Sequence, residues 1–182
     1  MKCSTTIPDS SFFWCFLGDI KKPDSLLKIL QSNEFRFVTA EIISTEIKKK
    51  PIEAQLLHKI NKNVEIFSYH QYGEILKPLF SDKEIKKGEH EVIVISYILN
   101  FKREDFIAVL DDNAPKKFLK RLIPNPIGII TGTVGFIEIC TVRSVFRRAE
   151  AITILILIKE SKFRIDDAIV DSVISRIESV EK

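Results

Sequence analysis

Three features of the sequence predict an α/β fold. Short apolar runs alternate with longer amphipathic ones, the rhythm of strands separated by helices. The run Phe106-Ile-Ala-Val-Leu110 is apolar at every position, as in a parallel sheet covered on both faces. Length sets the unit, because 182 residues without a linker-like stretch or an internal repeat suit one domain. The expected boundaries are 1–182, with C-terminal helices from about residue 147 packing on the rest.

The elements follow in order. Lys2 to Pro8 carries the β-branched Thr5, Thr6 and Ile7, a strand that Pro8 must end. Asp24 caps a helix through SLLKIL, and Phe35-Arg-Phe-Val38 is a compact strand. Thr39 can cap the next helix, Ala40 to Lys49, which Pro51 stops. Pro51 can also open another helix at its first position, with Ile52, Leu56, Leu57 and Ile60 as the apolar stripe. A strand at Val64 to Phe67 precedes the turn Lys86-Lys87-Gly88 and a helix, Glu89 to Leu99, apolar on nearly every side. After Phe106–Leu110 come a helix from Asn113 to Arg121, a strand from Ile127 to Thr131 and the turn Gly132-Thr-Val-Gly135. Helices at Phe136 to Phe146, Glu150 to Lys159 and Asp166 to Val180 complete the chain. Phe12-Phe13-Trp14 reads as core rather than as a base-stacking platform.

Composition narrows the function. Hydrophobic residues are 45% and charged residues 29%, with 6 Gly and 7 Pro, which excludes disordered and collagenous classes. Lys+Arg 28 against Asp+Glu 25 gives +3, too balanced for sequence-independent coating of nucleic acid or a polybasic membrane anchor. Cys3, Cys15 and Cys140 have no metal-ligand spacing and read as reduced thiols. The N-terminus lacks an apolar leader, and the most apolar run, Ala151 to Ile158, falls far short of the ~20 residues that span a bilayer. A cytoplasmic protein without membrane contact is expected. That apolar run is assigned first to the core and second to a dimer or partner interface.

Open parallel sheets bind ligands beyond the carboxyl ends of their strands. Asp9, Glu46, Glu91 and Asp112 each come from a different element near that end. Alone, each has an ordinary reading: a cap for Asp9 or Asp112, a helix-dipole partner for Glu89 or Glu91, a solvated face for Glu46. Together they would repel one another unless a cation neutralised them, and Mg²⁺ or Mn²⁺ takes oxygen ligands. Lys116, Lys117, Lys120 and Arg121 share the helix after Asp112, where they can receive an RNA backbone or merely solvate a face. Arg147-Arg148 and Lys48-Lys49-Lys50 read as solvation. His58, His70 and His90 are scattered, and GxxxxGK[ST] is absent, so Gly132–Gly135 reads as a strand-to-helix turn.

The segments Pro8-Asp9-Ser10-Ser11, Glu46-Ile47, Gly88-Glu89-His90-Glu91-Val92-Ile93 and Val109-Leu110-Asp111-Asp112, in this order, resemble a PIN domain. Gly-Glu-x-Glu, the Asp-Asp pair, Gly132–Gly135 and Ser161-Lys-Phe-Arg-Ile-Asp166 are similar to a prokaryotic subfamily related to toxin ribonucleases. The resemblance implies a three-layer α/β/α sandwich with a mostly parallel sheet and metal-dependent hydrolysis of RNA. It makes Asp9, Glu46, Glu91 and Asp112 the catalytic set, with Mg²⁺ or Mn²⁺ held by Asp9, Glu91 and Asp112 and by Asp111 as an auxiliary acid. Ser11 supports the first aspartate, and Glu89 is a second supporting residue. RNA is the implied substrate, and an antitoxin protein or a second copy of the chain the implied partner. Two departures stand out: Pro8 in the strand before Asp9, and Asn113-Ala-Pro115-Lys116 where the subfamily carries Ala-Arg. Lysine keeps the charge but loses the bidentate fork. A non-catalytic RNA- or protein-binding module and a phosphoacceptor domain are the alternatives.

Overall fold

The computed structural model describes residues 3–49, 51–72 and 87–179. Lys2, Lys50, Lys86 and Val180, named above within expected elements, lie outside the described residues. The order is β1 (Ser4–Pro8), α1 (Ser10–Trp14), α2 (Pro23–Leu30), β2 (Phe35–Thr39), α3 (Glu41–Lys48), α4 (Ala54–Asn63) and β3 (Val64–Ile66). There follow α5 (Gly88–Phe101), β4 (Phe106–Val109), α6 (Asn113–Leu122), β5 (Ile129–Thr131), α7 (Thr133–Val142), α8 (Arg148–Glu160) and α9 (Asp167–Ser179). A π-helical turn, Cys15–Asp19, extends α1.

The five strands form one parallel sheet in the order β3-β2-β1-β4-β5. With the right-handed crossovers that parallel strands take almost without exception, this order puts the β1→β2→β3 connections over one face and β3→β4→β5 over the other, an α/β/α sandwich. On the first face Phe12 of α1, Phe35 and Phe37 of β2, and Phe136 of α7 pack as one aromatic cluster with ring centroids 4.9–6.2 Å apart. On the other face α5 is buried at Val92, Ile93, Ile95 and Leu99. Such all-round burial is what a helix without a polar face requires.

Several local expectations are corrected. Asp24 lies inside the first turn of α2, which Pro23 opens, so proline rather than an aspartate cap starts this helix. Thr39 ends β2 instead of capping α3; the N-cap is Ala40, which has no side chain to offer. Pro51 precedes α4 without entering it, because that helix begins at Ala54. The aromatic run after Asp9 is core, as expected: it is helical, with Phe12 and Phe13 fully buried. Pro8 stays in β1 opposite Val109, and the β1–β2 ladder ends earlier, at Thr6–Phe37. Its missing N–H therefore faces the side where no ladder bond is due. The apolar run of α8 buries Ala151, Ile154, Leu155 and Ile158 and leaves Ile156 exposed, so its main use is core. Among the described residues no helix is long and apolar enough to cross a membrane.

Candidate active site

Strand order reverses direction between β1 and β4, and the crevice beyond their carboxyl ends is where open α/β sheets bind ligands. Asp9 leaves β1 there, with its N–H donating to Val109 O at 3.0 Å. Asp111 leaves β4 after the buried Leu110.

A short hydrogen-bond chain fixes the two carboxyl groups. Asp9 Oδ1 accepts from Ser11 Oγ at 2.6 Å and from the Phe12 N–H at 3.2 Å, so Asp9 also caps α1. Asp9 Oδ2 accepts from the Asp111 N–H at 3.4 Å. Ser11 Oγ lies 3.1 Å from Asp111 Oδ2 as well; its single proton serves one carboxylate at a time. Thr133, fully buried at the start of α7, donates its N–H to Asp111 Oδ1 at 2.8 Å and its hydroxyl to Oδ2 at 2.7 Å. Gly132 leaves room for this pairing. A Cβ there would sit 2.9 Å from Asp111 Oδ1 and 3.3 Å from Lys116 Nζ.

Burial and the charge of Asp111 push the Asp9 carboxyl up to about 7, against the pull of its donors. Asp111 is raised by burial, and the Thr133 donors and Lys116 oppose that rise. Burial thus favours a proton, or a cation in its place, on the pair.

Asp111 opens into two depressions. One, of about 420 Å³, is walled by Lys116, Gly132, Arg164 and Arg176. The other, of about 230 Å³, is walled by Ser11, Asp112, Lys162 and Arg164. Asp112 is exposed on this rim at the N-cap of α6, with no capping bond from its side chain. The resemblance implied Asp112 as a catalytic acid and Asp111 as an auxiliary one; in the structure Asp111 is the one that meets Asp9, and Asp112 stands on the rim. Lys116 faces the site, whereas Lys117 and Lys120 are exposed on α6 and line neither depression.

The glutamates form a second group. Glu91 is completely buried and works as a cap for α3: Oε1 accepts from the Ile42 N–H at 2.9 Å and from Tyr69 Oη at 3.1 Å, and Oε2 from the Ile43 N–H at 2.9 Å. Burial raises its carboxyl, and Glu46 adds to the rise after those donors have opposed it. Glu46 Oε1 accepts from the Gly88 N–H at 3.4 Å, and Glu89 lies 3.7 Å from Lys87. Among the described residues no three His, Cys, Asp or Glu side chains gather as a metal-holding group. The expected ligand Glu91 faces the α3 N-terminus and Tyr69, and among the described residues no group gathers it with Asp9 and Asp111.

Sequence reading missed Thr133 and Arg164. A threonine directly after the glycine that follows β5, the strand beside β4, was the signal for the first. No family model, curated protein or solved structure matches the chain, so the likeness to PIN domains stands on the motifs quoted above.

Proposed function

We propose that the chain is a nuclease that hydrolyses RNA phosphodiester bonds at the Asp9–Asp111 pair with Mg²⁺ or Mn²⁺, as a toxin ribonuclease or an RNA-processing enzyme of the cytoplasm. The observation that carries this reading is the pair itself: two carboxyl groups that follow adjacent strands, Asp9 buried and Asp111 half-buried, both within reach of the Ser11 hydroxyl and opening onto walls that hold Lys116, Lys162 and Arg164. The charge of Asp111 raises the affinity of Asp9 for a proton, and neighbouring carboxylates likewise attract a divalent cation. The donor set fits a hard ion, since Mg²⁺ is commonly held by one or two carboxylates and keeps several waters. Asp9 and Asp111 would hold it, with Asp112 on the rim beside them.

When bound, such an ion supplies an activated water and offsets charge that develops on the phosphate. The remaining work belongs to the chain. Ser11, the Phe12 N–H and Thr133 fix the carboxyl oxygens, so the ligands need no reorganisation when the cation arrives. Lys116 places positive charge on the wall of the larger depression, where a phosphodiester would lie.

Calorimetric titration with Mn²⁺ tests the site. Native protein should bind one ion, and Asp111→Asn should bind none. Equal binding by both, or by neither, removes the assignment and leaves a non-catalytic module. A small DNA-binding protein encoded beside this chain would mark the toxin of an antitoxin pair.

A further inference from the structure

The connector between α8 and α9 alternates strictly. Ser161, Phe163 and Ile165 are half-buried, and Lys162, Arg164 and Asp166 are exposed. Phe163 and Ile165 pack on the core. Both ends are tied down: the Ser161 hydroxyl donates to Ile158 O at 2.8 Å and accepts from the Phe163 N–H at 3.0 Å, and Asp166 Oδ1 accepts from the Ala168 N–H at 2.9 Å. This period-two pattern holds charged side chains outward over a fixed backbone.

Arg164 stands where this matters. It walls both depressions that meet at Asp111, the larger shared with Lys116 and the smaller with Lys162. Arg176, on the wall of the larger depression, is engaged with Glu138 at 2.7 Å. Arg164 forms no ion pair among the described residues, although Asp111, Asp112 and Asp166 belong to the same walls. A planar fork with five donors is suited to grip a phosphate in two hydrogen bonds.

We infer that Arg164 is a substrate-positioning residue that binds a backbone phosphate of a nucleic-acid strand running through both depressions, past Asp111. The inference rests on the nuclease reading above and adds the residue that holds the strand. The α8–α9 connector, rather than α6 alone, then forms the second wall of the binding groove. On the α6 wall of the larger depression the cation is Lys116, a point charge rather than a fork.

The test is binding of a mixed-sequence single-stranded RNA oligonucleotide to the full chain in EDTA, as a function of salt. Arg164→Ala should bind roughly tenfold more weakly, the loss of one charge-assisted contact. The slope of log affinity against log salt should fall by about 0.7, one phosphate on a single strand. Arg164→Lys should recover the slope and part of the affinity, and Lys59→Ala, on exposed α4, should change neither. The same loss on single-stranded DNA supports a phosphate contact. In turnover with Mn²⁺, Arg164→Ala should raise KM more than it lowers kcat. Unchanged affinity and slope in Arg164→Ala, an equal loss in Lys59→Ala, or a loss confined to RNA overturns the inference. Because binding is read without metal, weakened binding in a chain that cleaves nothing keeps the arginine contact and removes the nuclease reading. Cleavage with unaltered binding does the reverse.

Discussion

Asp9 and Asp111 stand 102 positions apart in the chain, yet the Asp111 N–H points at Asp9 Oδ2 from 3.4 Å and Ser11 Oγ reaches both side chains. Sheet order creates the meeting, since β1 and β4 are neighbours and each aspartate follows its strand. Everything expected of the site depends on this pair more than on the number of acids around it.

The two adjacent aspartates that follow β4 should therefore behave differently. Asp112→Asn should keep Mn²⁺ binding within a fewfold of the native value, because its side chain is exposed and caps nothing. Asp111→Asn should abolish it. Calorimetry on the two variants side by side would contradict this if Asp112→Asn alone lost the ion.

Glu91 should prove structural. Truncation to alanine strands the Ile42 and Ile43 N–H groups and the Tyr69 hydroxyl in a buried site, a loss of about 3 kcal/mol. For a chain of this length that lowers the melting temperature by roughly 6–12 °C. Glu91→Gln, where it folds, should bind Mn²⁺ as the native protein does. Weakened Mn²⁺ binding with unchanged melting would return Glu91 to the ligand set.

Two glycines should separate site from scaffold. A Cβ at Gly128 would sit 2.2 Å from Phe106 O, so Gly128→Ala must move backbone and should destabilise strongly. Gly132 has extended backbone that any residue adopts, and the atoms nearest its Cβ would be Asp111 Oδ1 at 2.9 Å, Lys116 Nζ at 3.3 Å and Leu110 O at 3.4 Å. Gly132→Ala should melt close to the native temperature while binding Mn²⁺ more weakly, as thermal melts and calorimetry would read.

Stability should depend on pH through Asp9. Its carboxyl sits at about 7 when folded against an ordinary 3.8, so between these values the folded chain holds a proton that the unfolded chain has released. The associated stability is complete below the unfolded value and is lost as pH rises through about 7. In EDTA, native protein should therefore weaken from about pH 5 to about pH 8 in urea melts, and Asp9→Asn should weaken less, since asparagine also caps helices. Saturating Mn²⁺ at the higher pH should reverse the loss: a hundredfold excess over Kd contributes about 2.7 kcal/mol, or roughly 5–10 °C. Identical pH dependence in native and Asp9→Asn protein would show that the pair is not strained.

Legibility of the sequence followed the range of the interaction involved. The β4 strand was plain because an unbroken apolar run needs only its own residues. The helix after Asp9 was not, since five residues are too few to show a period. The α3 cap was out of reach because its acceptor comes from Glu91, 48 and 49 positions away. Choosing between Asp111 and Asp112 depended on the turn after Leu110, and no pattern within the strand encodes which carboxyl turns inward. Thr133 became meaningful only once β5 was known to lie beside β4.

The most direct measurement is hydrolysis of single-stranded RNA by the full chain with Mn²⁺, beside EDTA and Asp111→Asn controls. Cleavage by native protein with Mn²⁺, lost in EDTA and lost in a folded Asp111→Asn chain, is the expected result. Cleavage that survives EDTA or the Asp111→Asn substitution, or a native chain that binds RNA and Mn²⁺ but leaves the strand intact, would contradict it.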